Sequence, residues 1–162
     1  MAEKKTPGNS MAVKMEVVCP NDTNPLGILQ GGRLVQWMDL ACAICAQNHA
    51  GFICVTASID SVSFKTPAQN GDIITIQCKV TKVFRTSMEI HAVAWKKNTN
   101  IKRNVMINEA FFTFVAIDDD GRPLAIPPVT PVTKEEKEAF NNAGKRRAKR
   151  IINDYENVTG KH

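Results

Sequence analysis

The segment from about Gly32 to His49 limits the possible folds of this chain more than any other. It lacks proline and is rich in helix-forming residues. Its apolar residues fall on nearly every side of a helix: Leu34, Val35, Trp37, Met38, Leu40, Ala41, Ala43, Ile44 and Cys45. A helix that is hydrophobic all round is normally buried, and Gly51 is placed to end it as a C-terminal cap. The sequence therefore predicts one long helix that other elements must cover.

The segments on either side of this helix alternate with the period of β-strands. Residues 11–18 predict a strand before the helix, and residues 53–60 predict one after it. In that second strand the apolar residues Ile53, Val55, Ala57 and Ile59 face one way, and Thr56, Ser58 and Asp60 face the other. An Asn70-Gly71 turn leads into a third strand. The runs "RTSMEIHAVAW" and "VMINEAFFTFVAI" supply two more, separated by a polar connection.

This order of elements predicts an α+β fold in which an antiparallel sheet wraps around one long buried helix, with strand, helix and then four strands along the chain. Such a small sheet leaves part of the helix bare, so a second copy of the chain is expected to cover it. We expect residues 1–10 to be a flexible N-terminus and 11–131 to form one domain. Residues 132–162 are predicted to be a charged helical tail, interrupted at Gly144.

Composition narrows the class of protein further. No run of the 162 residues approaches a membrane span, and the polar start "MAEKKTPGNS" predicts no signal peptide, hence a cytoplasmic protein without membrane insertion. The cysteines are odd in number, which predicts reduced core thiols rather than disulfides: Cys19, Cys42, Cys45, Cys54 and Cys78. Much of the formal net charge of +5 lies in "KRRAKR", Lys145 to Arg150, interpreted as a solvated helical face.

Asp39 is the one acidic residue of the apolar helix. A buried charge costs several kcal/mol unless it is paired or neutralised. Desolvation raises the pKa of a carboxylate and makes it a better base, so Asp39 is a candidate catalytic residue. The alternative is that it contacts a polar group or water at the edge of the helix.

Gly31 and Gly32 stand where this helix begins. Their backbone N–H groups are uncovered by side chains, and the helix dipole there favours a developing negative oxygen, so the pair is a candidate oxyanion site. A tight loop entering the helix is the alternative. Gly32 and Asp39 are separated by about 10 Å along the helix axis. If both act on one substrate, Asp39 must therefore come from the opposing subunit.

Five ordered motifs carry a resemblance to a known family. They are "NPLGILQGG", "WMDLACA", "SFKTPAQNGD", "KVFRTSMEI" and "AIDDDGRPLAIPP", and the resemblance covers about residues 11–131. This pattern closely resembles the hotdog-fold acyl-CoA thioesterases, specifically the hexameric acyl-CoA hydrolase group. The resemblance implies the hotdog fold, a dimer with two sites at its interface, and dimers assembled as a trimer.

The resemblance also implies roles for particular positions. Asp39 would be the general base or the nucleophile, and Asn24 would position the attacking water or the thioester. The Gly32 N–H would polarise the thioester carbonyl, while Thr86 and Ser87 would lie along the pantetheine arm. The expected reaction hydrolyses acyl-CoA to a fatty acid and coenzyme A.

Further candidates lie within the same motifs. Gly31, Lys65 and Arg85 are expected to contact the substrate. No metal or cofactor is expected, because a thioester is already electrophilic and coenzyme A is part of the substrate and product.

Other interpretations of the chain remain open at this point. An acyl-CoA-binding sensor without turnover is one, and a basic nucleic-acid-binding module is another, although the chain has no recognition-helix or RNA-binding signature. The tail could also contact coenzyme A phosphates. Cys42, Cys45 and His49 share one helix face and could form a metal or thiol site. His91 is interpreted as a packing residue, and "DDDGR" as a turn.

Overall fold

The computed structural model describes residues 4–98 and 103–159, which form five strands and two α-helices. The elements follow in the order β1 (Ala12–Val17), α1 (Gly31–Ala50), β2 (Cys54–Phe64), β3 (Ile73–Phe84), β4 (Ser87–Asn98), β5 (Arg103–Ala116) and α2 (Lys134–Thr159). Two short 3-10 helices, Pro7–Ser10 and Pro20–Asp22, flank β1. The predicted order of one strand, a helix and four strands is confirmed.

The strands form one antiparallel sheet in the spatial order β1-β3-β4-β5-β2, so β1 and β2 are its edges. Gly71 adopts a φ of +87° in the turn before β3, as the Asn70-Gly71 pair predicts. The polar connection predicted between β4 and β5 falls in part on residues 99–102, outside the described residues. This order places β2, the strand that follows α1, at an open edge.

The core lies between α1 and one face of the sheet. Residues of α1 that are fully buried against the sheet include Met38, Ala41, Cys42 and Cys45. They meet the inward rows of the three central strands, which include Ile76, Ile90, Phe112 and Phe114. Each large apolar side chain buried in this way contributes about 1.5–3 kcal/mol. Packing of α1 on the sheet is therefore the main source of stability for the domain.

Gly51 ends α1 as predicted. It adopts a left-handed φ of +76°, and its N–H donates to the carbonyl of Gln47 at 2.8 Å. An L side chain rarely adopts this conformation, so glycine suits the position.

One side of α1 is left uncovered by the sheet. The uncovered strip of α1 consists of Gln36, Leu40, Ile44 and Gln47, all exposed. Leu40 and Ile44 are 50% and 51% exposed, although both are large and apolar. The neighbouring strand β2 exposes Val55, Ile59 and Val62 as well. The prediction that Val55 and Ile59 share one face of β2 is wrong, because the register shift between Thr56 and Ser58 pairs Val55 with Val115 but Ile59 with the core residue Phe112. Leu40 and Ile44, with Ile59 on the same side of the sheet as α1, leave an exposed apolar surface in the single chain.

Helix α2 crosses the opposite face of the sheet. It continues through Gly144, so the predicted interruption there is wrong. A glycine inside a helix costs about 1 kcal/mol relative to alanine. Burial of Ala143 and packing of Phe140 on the core outweigh that cost, because most helical stability in proteins comes from tertiary packing.

Residues 4–10, assigned from the sequence to a flexible N-terminus, contact the domain. The ammonium group of Lys5 donates to the carbonyl of His49 at 2.8 Å, and the Lys5 carbonyl accepts from the N–H of Thr130 at 2.8 Å. Neither α1 nor α2 has an apolar stretch long enough to cross a membrane.

The five cysteines are all free thiols. Four are buried, as predicted, but Cys19 is exposed, because it lies in the turn after β1 rather than within the strand. Burial raises the pKa of the Cys45 thiol to about 12 and that of Cys54 to about 11.

Candidate active site

Asp39 lies in the third turn of α1, next to the uncovered strip. Its Oδ1 accepts a hydrogen bond of 2.7 Å from the hydroxyl of Thr56 on β2. Asp39 is half-buried in the single chain, so the expectation that it is shut away from water is wrong for the protomer. The sheet covers the other side of α1 and leaves Asp39 beside the exposed Leu40. A carboxylate held by one hydroxyl at the border of an apolar surface can still accept a proton from water.

Thr56 was not among the residues predicted for the site. The available signal was the polar row of β2, in which Thr56, Ser58 and Asp60 alternate with apolar residues. Spacing along the chain does not tell which member of that row opposes Asp39. That depends on how β2 is set against α1, and β2 carries two register shifts against β5, between Thr56 and Ser58 and between Asp60 and Ser63.

The N-terminus of α1 begins at Gly31, as the glycine pair predicts. The first intrahelical bond runs from the N–H of Leu34 to the carbonyl of Gln30 at 3.1 Å. The three N–H groups before it, those of Gly31, Gly32 and Arg33, have no partner within the helix. A Cβ on Gly32 would meet no atom within 4 Å, so open space adjoins that residue. These amides can receive an oxyanion.

A cleft of about 270 Å³ lies beside this helix terminus. Its lining includes Gly31, Leu34, Phe64, Lys65 and Ile107. A Cβ on Gly31 would stand 3.0 Å from ring carbons of Phe64, so glycine allows the close approach of that ring. Gly31 and Lys65, both predicted to bind substrate, are therefore brought to one cleft.

Lys65 is held by an acidic neighbour. Its ammonium group lies 3.3 Å from Oε2 of Glu109, whose Oε1 is 2.8 Å from Nε2 of His91. Burial alone would raise the pKa of Glu109, but the hydrogen bonds from His91 and Lys65 outweigh it, so the pKa is lowered. His91 also stacks on Phe111 at 4.7 Å, which agrees with the packing role predicted for it.

Asn24 occupies the loop just before α1. Its side-chain Oδ1 accepts from the N–H groups of Leu26 at 2.9 Å and Ile28 at 3.1 Å. Both contacts use the oxygen, and within residues 4–98 and 103–159 no hydrogen bond uses Nδ2. The amide of Asn24 is thus oriented by its own loop, with two donors left for a ligand at the Gly31 end of α1.

Arg85, Thr86 and Ser87 lie at the other end of the domain. They form the turn from β3 to β4, where the carbonyls of Arg85 and Thr86 accept from Ile126 at 3.0 Å and Ala116 at 3.3 Å. Ala116 pairs with Cys54, the first residue of β2, whereas the cleft adjoins Phe64, the last. The structure does not bring this turn to Gly31 and Lys65 within one chain.

The candidate residues therefore divide into separate groups along α1. Gly31 and Asp39 are about 12 Å apart along the helix axis. The amide donors, Asn24 and Lys65 lie at the N-terminal end, the Asp39–Thr56 pair is central, and the β3–β4 turn is beyond it. One protomer does not gather them around one thioester.

Comparison with known proteins decides the family. The model of the Thioesterase superfamily matches residues 26–102. A protein of Bacillus subtilis described as an uncharacterized acyl-CoA thioester hydrolase is 36% identical over 137 residues, which cover 85% of this chain and 80% of the relative. The chain belongs to the thioesterase superfamily.

Other superfamily members differ in length. The acetyl-coenzyme A thioesterase of Mus musculus is 38% identical over 138 residues, which cover 84% of this chain but only 24% of the mouse protein. The chain thus spans about a quarter of that relative.

Solved structures of thioesterases share the whole fold. An acyl-CoA hydrolase of Staphylococcus aureus, in complex with butyryl coenzyme A, coenzyme A and coenzyme A disulfide, has a TM-score of 0.90 and 32% identity, covering 98% of this chain and 96% of its own. An apo hexameric acyl-CoA thioesterase has a TM-score of 0.89 and 36% identity, covering 94% and 97%. The predicted hotdog fold of this thioesterase is confirmed.

Alanine variants of the Staphylococcus aureus protein are also known. They replace an asparagine, an aspartate 15 residues further on and a threonine 17 residues beyond that. The same spacing separates Asn24, Asp39 and Thr56 in this chain.

The rival site on α1 of this thioesterase is not assembled. His49 Nε2 lies 3.0 Å from the carbonyl of Pro127, and its Nδ1 lies 2.8 Å from the Ser10 hydroxyl, so both ring nitrogens have other partners. Cys42 faces Cys78, with the sulfur atoms 3.4 Å apart, and burial raises its pKa well above the usual range. No cluster of three or more metal-binding side chains occurs in the part of the chain that the structure describes.

The basic stretch of α2 is not the fully solvated face that was predicted. Arg146 donates to Glu89 at 2.7 and 2.9 Å, and Arg150 donates to Asp60 at 2.6 Å. Arg147 lies over the Phe84 ring at 4.4 Å. These guanidinium groups face inward because the sheet offers carboxylates and aromatic faces there, whereas Lys145 and Lys149 are exposed. Inward pairing leaves less charge for nucleic acid than the sequence suggests.

Proposed function

We propose that this protein hydrolyses acyl-CoA thioesters, with Asp39 and the amide donors of α1 supplied by two copies of the chain. The observation that carries the proposal is the division along α1. Asp39 and Thr56 border an exposed apolar surface, while the free amides lie about 9–12 Å away along the helix axis. Reacting groups need to lie within about 3–3.5 Å of one another. A second copy packed antiparallel against β2 and the uncovered strip would supply the missing half.

The proposed reaction uses water as its second substrate. Asp39 accepts a proton from water, and the resulting hydroxide attacks the thioester carbonyl carbon. The Gly32 N–H donates to the developing oxyanion. The carbon–sulfur bond then breaks, and the leaving thiolate takes the proton from Asp39, which releases coenzyme A and the fatty acid and restores the carboxylate. Thr56 holds Oδ1 and so leaves Oδ2 for the water, while the amide of Asn24 orients the water or the thioester.

Direct attack by Asp39 is a second route to the same products. It would form a mixed anhydride that water then cleaves. Neither route needs a metal or cofactor in this proposal. Rapid quenching within the first turnover followed by mass analysis separates them, because only the second leaves an acyl group on Asp39.

The remaining candidates are assigned to substrate binding. In the antiparallel pair, the β3–β4 turn of one copy would approach the Gly31 cleft of the other. Arg85, Thr86 and Ser87 would then line the path of the pantetheine arm, opposite Gly31 and Lys65. We propose that such dimers assemble further as a trimer, since a superfamily relative of 36% identity is hexameric.

The central test is release of coenzyme A thiol from butyryl-CoA, corrected for the exposed Cys19 with a substrate-free blank. The native chain should turn over, and Asp39→Asn should lose about 10²–10⁴-fold in kcat, the range for a general base. Asp119→Asn, an exposed acid in the turn after β5, is the matched control and should retain full activity. Binding of butyryl-CoA without thiol release by the native chain would instead favour the sensor.

A further inference from the structure

Arg150 of α2 contacts two neighbouring strands with one nitrogen atom. Its Nη1 donates to Oδ2 of Asp60 on β2 at 2.6 Å and to the hydroxyl of Thr113 on β5 at 3.0 Å. The side chains of Arg150 and Asp60 are 22% and 30% exposed, so water screens this pair only in part. Arg150 thus ties the edge strand β2 to β5 from the outer face of the sheet.

The part of β2 held in this way is irregular. It lies between the two register shifts of β2 against β5, one between Thr56 and Ser58 and one between Asp60 and Ser63. Next to it, Ser61 adopts a φ of +54°, a conformation that costs free energy in a residue other than glycine. Bulges of this kind redirect side chains and are frequent beside active sites.

The same stretch leads directly to the Asp39 pair. Ser58 donates to Oδ2 of Asp60 at 3.4 Å, and Thr56, on the other side of the first register shift, donates to Oδ1 of Asp39 at 2.7 Å. A connected path therefore runs from Arg150 through Asp60 and the bulge to Thr56. The direction of the Thr56 hydroxyl depends on where this bulge is held.

We infer that Arg150 is a positioning residue for hydrolysis. By hydrogen-bonding Asp60 on β2, it keeps the Thr56 hydroxyl within hydrogen-bonding distance of Asp39. The inference rests on the proposed function, because it acts through the residues assigned there. It also gives the basic tail a role within the protomer. Arg146 contacts Glu89 and Arg147 contacts Phe84, both on other strands, so among the described basic residues of the tail only Arg150 hydrogen-bonds a side chain of β2.

The test measures kcat and KM for butyryl-CoA in Arg150→Ala and Lys149→Ala. Lys149 is exposed on the same turn of α2 and makes no hydrogen bond or ion pair within the described residues, so its variant removes equal charge. Misplacement by about 1 Å can cost on the order of 10²-fold in rate. We expect Arg150→Ala to lower kcat by about tenfold with KM within about twofold of the native value. Lys149→Ala should match the native chain, and Arg150→Lys should recover part of the loss.

A double-mutant comparison separates positioning from general damage. If Arg150 acts through Thr56, adding Arg150→Ala to Thr56→Ala should cause no further fall in kcat. If the double variant shows a kcat loss equal to the product of the two single losses, the inference is overturned, because Arg150 would then act independently of Thr56. Asp60→Asn weakens the same ion pair by changing its β2 residue. This variant should reproduce the kcat defect even if Arg150→Ala yields little folded protein.

Failure of the inference is distinguishable from failure of the proposed function. If Thr56→Ala and Asp39→Asn lower kcat for thiol release while Arg150→Ala and Asp60→Asn leave kcat unchanged, only the inference is overturned. If Asp39→Asn keeps native activity, the proposed function falls and the inference falls with it.

Discussion

The hydroxyl of Thr56 lies 2.7 Å from Oδ1 of Asp39, although 17 residues separate them along the chain. This contact joins β2 to α1 at the border of the exposed apolar surface. It also orients the carboxylate that we assign to proton transfer.

Loss of the Thr56 hydroxyl should slow catalysis without unfolding the protein. Thr56→Val keeps the shape and the β-branched side chain but removes the donor. A hydrogen bond to a charged group contributes about 1.5–3 kcal/mol, so kcat should fall by about tenfold or more. Thr56→Ser keeps the hydroxyl and should stay near the native rate. Native kcat in Thr56→Val would remove Thr56 from the site.

Alanine at Gly32 should separate stability from activity. No atom lies within 4 Å of the added Cβ, and alanine favours helices over glycine, so the free energy of unfolding should not decrease. The Cβ would, however, occupy the space beside the proposed oxyanion amide, so kcat/KM should fall. Chemical denaturation and thiol release measure the two effects. Unchanged kcat/KM would place the oxyanion site elsewhere.

Acidic pH should destabilise the contacts that His49 makes with Ser10 and Pro127 near the C-terminal end of α1. Burial lowers the pKa of His49, and the nearby Lys5 ammonium lowers it further, against the opposing effect of its bond to Pro127. The unfolded chain, with a His pKa of about 6.5, therefore binds the proton more readily than the folded one. The stability that neutral His49 contributes is fully present above the pKa of the unfolded chain. It is lost as the pH falls through the lowered pKa of the folded protein.

Denaturation of the native chain and His49→Gln between pH 8 and pH 5 checks this. The native chain should lose more free energy of unfolding over that interval than the variant. Parallel pH curves for the two proteins would contradict the assignment.

Arg146→Ala should lower the free energy of unfolding far more than Lys145→Ala does. Glu89 is 3% exposed, and its carboxylate is held by Arg146 and by the Thr81 hydroxyl. Leaving a buried charge unpaired costs about 3–5 kcal/mol. Lys145→Ala, on the exposed side of α2, should change stability by less than about 0.5 kcal/mol. Similar unfolding midpoints for the two variants would show that the Glu89 pair contributes little.

The sequence predicts the fold well because its local signals agree with one another. The apolar segment before Gly51 predicts one helix. The alternation of apolar and polar residues after it predicts strands separated by turns such as Asn70-Gly71. The structure shows both. The prediction of a break at Gly144 is wrong, because helix propensity is a local property, whereas the packing of Phe140 and Ala143 on the sheet is not.

The candidate site is less accessible to sequence reasoning. Asp39 and the Gly31-Gly32 pair stand out because an acid in an apolar helix and glycines at its start are unusual. Thr56 does not, since its role depends on the bulges of β2 and on the packing of β2 beside α1. The inward arginines of the tail were missed for the same reason: Glu89 and Asp60 are distant in sequence and give no local sign of pairing.

Mixing two inactive variants tests whether each active site is shared between two copies of the chain. Asn24→Ala removes a group at the α1 N-terminus, and Asp39→Asn removes the carboxylate of the other half. After subunit exchange, confirmed by native mass spectrometry with one variant tagged, each mixed dimer would hold one site with both residues intact. We expect thiol release to recover towards a quarter of the native activity, because half of the dimers are mixed and half of their sites are complete. No recovery despite demonstrated exchange would contradict a site shared between two copies.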